Sequence, residues 1–134
     1  MSVPTTESFK TVATAPGTGA VAKTALTQVS NRVLQAVKAS MVTYGTLESG
    51  GTQVAFLIGS TSGTKLRKVV LVYRPGKDTY EVYGMVCGLR MGEHGTELGQ
   101  DVKVRYDDVY ADQLADLVIA AAKATGARPK VWWK

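Results

Sequence analysis

The chain has 134 residues, 45% of them hydrophobic and 20% charged, and sixteen Lys+Arg against eleven Asp+Glu give a net charge of +5. That is material for one domain, large enough to hold a core without disulfides, and the single cysteine, Cys87, excludes an internal disulfide framework. The longer apolar runs, at 54–58, 69–73 and 117–122, are too short to span a bilayer as helices, and the first thirty residues carry no apolar leader-like stretch; neither a membrane-spanning nor an exported chain is expected.

Residues 1–22 are dominated by Thr, Ala, Gly, Ser and Pro. They are expected to form a flexible arm, because so few apolar side chains cannot offset the entropy of ordering. Residues 23–126 form the expected domain. A helix is predicted from Thr24 as N-cap, with Leu26, Val29, Val33, Ala36, Val37, Ser40, Met41 and Tyr44 at three and four spacing on one stripe. Gln28, Arg32, Gln35 and Lys38 lie on its other side, and Gly45 serves as the C′ residue.

The period then changes to two. Strands are predicted over 53–58, 66–74, 79–89 and 98–106, with loops at 46–52, 59–64 and 90–97. The run Val69, Val70, Leu71, Val72, Tyr73 is apolar on both faces and reads as a central strand. Pro75 and Gly76 mark the following turn, with Gly76 expected at positive φ. Gly84 and Gly88 suggest a bulge or a close backbone approach in the third strand. In the fourth, Val102, Val104 and Tyr106 are expected to share one face, opposite Asp101, Lys103 and Arg105.

A second helix is predicted from 109 to 124, with Asp107 or Asp108 as N-cap and Tyr110, Leu114, Leu117, Val118 and Ala121 as its buried stripe. Gly126 ends it, and 127–134 form a basic tail carrying Trp132 and Trp133. The predicted fold is α+β: helix, four-stranded antiparallel meander, helix, with the helices packed on one sheet face.

Catalytic material is scarce. His94 and Cys87 are the one neutral-pH base and nucleophile pair, and a loop histidine beside a core cysteine is the simpler expectation. One His and one Cys do not make a zinc site. The run from Gly59 to Lys65 resembles a phosphate loop only loosely, since the glycine spacing is short by one and Lys65 opens a strand. No enzyme activity, metal, cofactor or small-molecule substrate is expected.

Charge placement says more. Lys65, Arg67, Lys68, Arg74 and Lys77 fall within thirteen residues, Lys103 and Arg105 lie on the last strand, and acids gather at Asp107, Asp108, Asp112 and Asp116. If the basic strands share a face, they form a positive sheet surface with Tyr73, Tyr83, Trp132 or Trp133 for stacking, as single-stranded nucleic acid requires. The expected function is therefore a small phage or mobile-element accessory protein, in the host cytoplasm or a virion, that binds nucleic acid. The candidate contacts are Lys65, Arg67, Lys68, Arg74, Lys77, Lys103, Arg105, Tyr73, Trp132 and Trp133. The alternative is a protein-interaction or virion-structural protein that self-associates through a strand edge or the tryptophan tail, or that inhibits a host factor.

Overall fold

The structure is a computed structural model, and it describes residues 11–12, 18–47, 50–62, 65–92, 95–129 and 131. After a two-residue strand, β1 at Thr11–Val12, come two short helices, α1 at Thr18–Val29 and α2 at Asn31–Ala36. The break between them is local: Ser30 takes φ 83°, and its Oγ accepts a hydrogen bond from Val33 N at 3.4 Å as the N-cap of α2. Lys38, at φ 55°, occupies the left-handed position after α2 while Ala39 N returns to Leu34 O at 2.9 Å, which closes the helix end.

The predicted helix through Tyr44 therefore stops short, and Gly45 caps nothing. Residues Ser40–Leu47 are instead a strand, β2. The three and four spacing of Ser40, Met41 and Tyr44 continued the helical stripe by coincidence, and the left-handed turn at Lys38 overrides it. Thr24 lies inside α1, where its hydroxyl donates to Ala20 O at 3.0 Å. Because α1 starts at Thr18, and Thr11–Val12 form a two-residue strand β1, regular structure reaches into the segment expected to be an arm.

The remaining strands are β3 (Thr52–Ser62), β4 (Lys65–Arg74), β5 (Thr79–Gly92) and β6 (Gly95–Val109). With β1 and β2 they make one antiparallel sheet in the order β1-β2-β3-β4-β5-β6. The fold is α+β, and five long strands replace the four expected. The expected loop at 90–97 is mostly strand, because β5 and β6 stay paired out to Gly92↔Gly95. At the β4–β5 turn Asp78, at φ 53°, takes the left-handed position expected of Gly76, and its N–H reaches Arg74 O at 2.8 Å.

Strand alternation sorts the side chains onto two faces. On one, Val54, Phe56, Ile58, Val69, Leu71 and Val82 pack with Val29, Val33 and Val37 of the first helices. The same cluster includes Leu114 and Val118 of the last helix, α3 (Leu114–Ala124). The second face carries a separate cluster of Leu47, Ala55, Val70, Val72, Tyr83 and Met85. Residues 69–72 are fully buried from both sides, as their apolar pattern implied.

Gly84 combines the two features that its place in the strand suggested as alternatives. A bulge falls between Gly84 and Met85, and the bare Cα lets Ala121 of α3 approach. That bulge pairs Val104 with Gly84 and Val102 with Met85, so Val102 packs on the second face and Val104 on the helical one. The extra residue breaks the shared face expected of Val102, Val104 and Tyr106.

Asp107 and Asp108 belong to β6 and cap no helix. A 3₁₀ turn, Ala111–Gln113, intervenes before α3, with Gln113 Oε1 accepting from Tyr110 N at 3.1 Å. Leu114, Val118 and Ala121 are buried as predicted, but Tyr110 precedes the helix and is 59% exposed. Gly126, at φ 96°, ends α3.

Candidate interaction surfaces

The sheet divides the predicted basic residues. Arg67 shares the helical face with Val69 and Leu71, and its Nε donates to Thr125 O at 3.0 Å, satisfying a carbonyl at the C-terminus of α3. Tyr73 lies on the same face, where its hydroxyl donates to Asp78 Oδ1 at 2.7 Å. Lys68 and Arg74 alternate onto the second face with Val70 and Val72. Arg105 joins them, its guanidinium 5.3 Å from the Tyr83 ring centroid. Lys77 lies in the β4–β5 turn, 3.5 Å from Asp108. Lys103 is exposed on the outer strand. Lys65 opens β4, while Trp132, Trp133 and His94 lie outside the described residues.

The second face is not uniformly positive. Glu81 accepts from Arg74 Nε at 2.9 Å, from Arg74 Nη2 at 3.2 Å and from the Tyr83 hydroxyl at 2.7 Å. Arg105 Nη2 stands 4.0 Å from the same carboxylate, and Arg105 Nε donates to Asp107 Oδ1 at 2.7 Å. This hydrogen bond to Asp107 holds the Arg105 guanidinium above its ordinary pKa. Burial, then the bond to Glu81, push the Tyr83 hydroxyl well above the usual tyrosine range. Tyr83 is 1% exposed and offers no ring for stacking. Among the described residues Lys68 and Lys103 make no ion pair.

Cys87 is buried, and desolvation raises its thiol pKa, the opposite of what a nucleophile needs. No group of three or more His, Cys, Asp or Glu that could hold a metal ion occurs among the described residues, and no described helix is long and apolar enough to cross a membrane.

Among the described residues, an exposed apolar surface lies where the sequence reading placed a helix. Met41 is 75% exposed, Val42 44% and Tyr44 51%, all on β2. Strand β1 pairs only with Thr46 and Leu47, so from Ser40 to Gly45 the outer edge of β2 has no strand partner among the described residues. Met41 sits at φ 51°, within a register break between Ser40 and Thr43. A bulge of this kind turns a side chain outward.

A groove runs along each side of this edge. On the helical side Val42 and Tyr44 face Ala22 and Leu26 of α1 across about 280 Å³. On the other, Met41 and Thr43 face Leu57 and Lys68 across about 200 Å³. A helical reading of residues 24–44 hid these positions. The absence of any charge between Ser40 and Leu47 was the one signal that could have marked them.

Comparison with protein families, with curated proteins and with solved structures finds no match in any of the three.

Proposed function

We propose that the chain is a self-associating structural protein of the virion-shell kind, joined to a second copy through the outer edge of β2. The observation that carries this reading is the exposure of Met41, Val42 and Tyr44 along an uncharged stretch of edge that has no strand partner among the described residues. Unpaired strand edges invite pairing, and proteins that avoid it place charges there. The opposite edge follows that rule, since β6 carries Asp101, Lys103, Arg105, Asp107 and Asp108. The β2 edge does not. An antiparallel two-fold beside Thr43 would set Val42 opposite Tyr44 of the second copy twice over, an apolar pairing with no like-charge conflict.

Light scattering tests it. The expected solution mass is twice the 14.3 kDa chain or a higher multiple, falling to one chain for Tyr44→Glu, whose exposed position leaves folding intact. A strict monomer at millimolar concentration would overturn the reading, and an assembly indifferent to Tyr44→Glu would overturn the choice of edge.

A second reading is favoured by Lys68 and Lys103, which make no ion pair among the described residues. In an assembled sheet these lysines, with Arg105, would contact nucleic acid phosphates without reading sequence. Labelled single-stranded oligonucleotide should bind with an affinity that falls as salt rises, and less tightly to Lys68→Ala. Binding without a salt slope would sink this reading.

A further inference from the structure

We propose that the cleft between α1, the β4–β5 hairpin and the 3₁₀ turn before α3 is a binding site for an alkylammonium group. The cleft encloses about 550 Å³, within the range of small-molecule sites. Three tyrosines and two carboxylates line it: Tyr73, Tyr80, Tyr110, Asp78 and Asp112. No lysine, arginine or histidine is among the described residues around it, although the chain as a whole is basic.

The rings form a wall and a rim. Tyr73 and Tyr80 lie with centroids 5.2 Å apart at 52°, while Tyr110 stands exposed at the mouth. The polar ends are held by neighbours. Tyr80 donates to Gln28 Oε1 of α1 at 2.7 Å, and Tyr73 donates to Asp78 Oδ1 at 2.7 Å. The bond to Asp78 raises the pKa of the Tyr73 hydroxyl above the ordinary tyrosine value. Asp78 Oδ2 and the Asp112 carboxylate are left to accept from a ligand. Lys77, beside Asp78 in sequence, pairs with Asp108 instead of with either acid of the cleft.

Aromatic faces attract cations through the ring quadrupole, and flanking carboxylates add direct charge attraction. An anion would meet two like charges, and a neutral apolar ligand would gain nothing from Asp78 Oδ2 or the Asp112 carboxylate. An ammonium on a short alkyl chain satisfies the site on both counts. Such a group comes from a free polyamine or from a lysine side chain.

Titration of the full-length protein with n-butylammonium, followed by tyrosine ring signals in NMR, tests the proposal. Saturable shifts of Tyr73, Tyr80 and Tyr110 are expected, with n-butanol giving none. Tyr110→Ala should weaken binding about fivefold while Tyr110→Phe keeps it. Asp112→Asn should weaken it by a similar factor, and circular dichroism should leave all three variants folded, since both positions are exposed.

Spermidine and a Gly-Lys-Gly peptide then separate the sources. The one that binds tighter shows which source of the ammonium group the cleft prefers, and equal binding still supports the alkylammonium site. Absence of saturation by 100 mM n-butylammonium, equal binding of n-butanol, or indifference to both Tyr110→Ala and Asp112→Asn would overturn it.

Discussion

Gly84 of β5 and Ala121 of α3 meet backbone to backbone: a Cβ at position 84 would stand 2.6 Å from the Ala121 carbonyl oxygen and 3.0 Å from Val104 Cγ1. The last helix sits this close to the sheet because one strand residue has no side chain. Gly84→Ala should therefore cost about 3 kcal/mol, since a rigid helix backbone and not a flexible side chain would have to move. Urea unfolding of the variant against the parent measures this. A loss under about 0.5 kcal/mol would show that α3 can lift away freely.

Glu81 gathers the polar groups of the second face. Its carboxylate, 13% exposed, binds Arg74, Tyr83 and, more distantly, Arg105. Glu81→Gln keeps the shape but leaves two guanidinium groups with less compensation, and should cost about 2 kcal/mol. Part of this loss should be insensitive to salt, because the site is largely shielded from solvent. Urea midpoints at low and high salt give both quantities.

Arg67 has a structural duty that its charge concealed. Arg67→Met keeps the apolar stem and removes the hydrogen bond to Thr125 O, which should cost about 1–2 kcal/mol. The same substitution should leave oligonucleotide affinity unchanged, whereas Lys68→Ala should lower it. Equal effects of the two on affinity would mean that both faces of the sheet contact nucleic acid.

Tyr83 makes stability depend on alkaline pH. Its folded pKa lies above the unfolded value of 10.0 because burial and the bond to Glu81 oppose ionisation. Above pH 10 the unfolded chain releases this proton while the folded chain keeps it, so the contribution is complete below pH 10 and lost as pH rises further. Tyr73 and Tyr80 are shifted in the same direction, Tyr73 mainly by its bond to Asp78 and Tyr80 mainly by burial. Urea midpoints should fall steeply above pH 10, and Tyr83→Phe should make that fall shallower. An unchanged slope would show that Tyr83 ionises as readily in the folded chain as in the unfolded one.

The strands from β3 to β6 were legible because β-branched runs, the Pro75 turn and the two-residue period are all local signals. The α3 stripe of Leu114, Val118 and Ala121 was legible for the same reason. Strand β2 was not, because Met41 and Tyr44 fit a helical period and nothing local announces that Ser30 and Lys38 adopt positive φ. Misplacing β2 hid the exposed edge. Placing Tyr110 in the core hid the mouth of the tyrosine cleft.

By itself, then, the sequence determined an α+β chain with an antiparallel sheet, a doubly buried central strand and a basic balance. These follow from composition and from side-chain periods of two and 3.6, which need no knowledge of distant neighbours. Only the tertiary structure decided that the face of β4 carrying Arg67, and not the one carrying Lys68, meets the helices, that Glu81 neutralises Arg74, and that Tyr73, Asp78, Tyr80 and Asp112 converge on one cleft. Each of those depends on register and on packing between segments far apart in the chain, and a single bulge at Gly84 is enough to change which face a residue occupies.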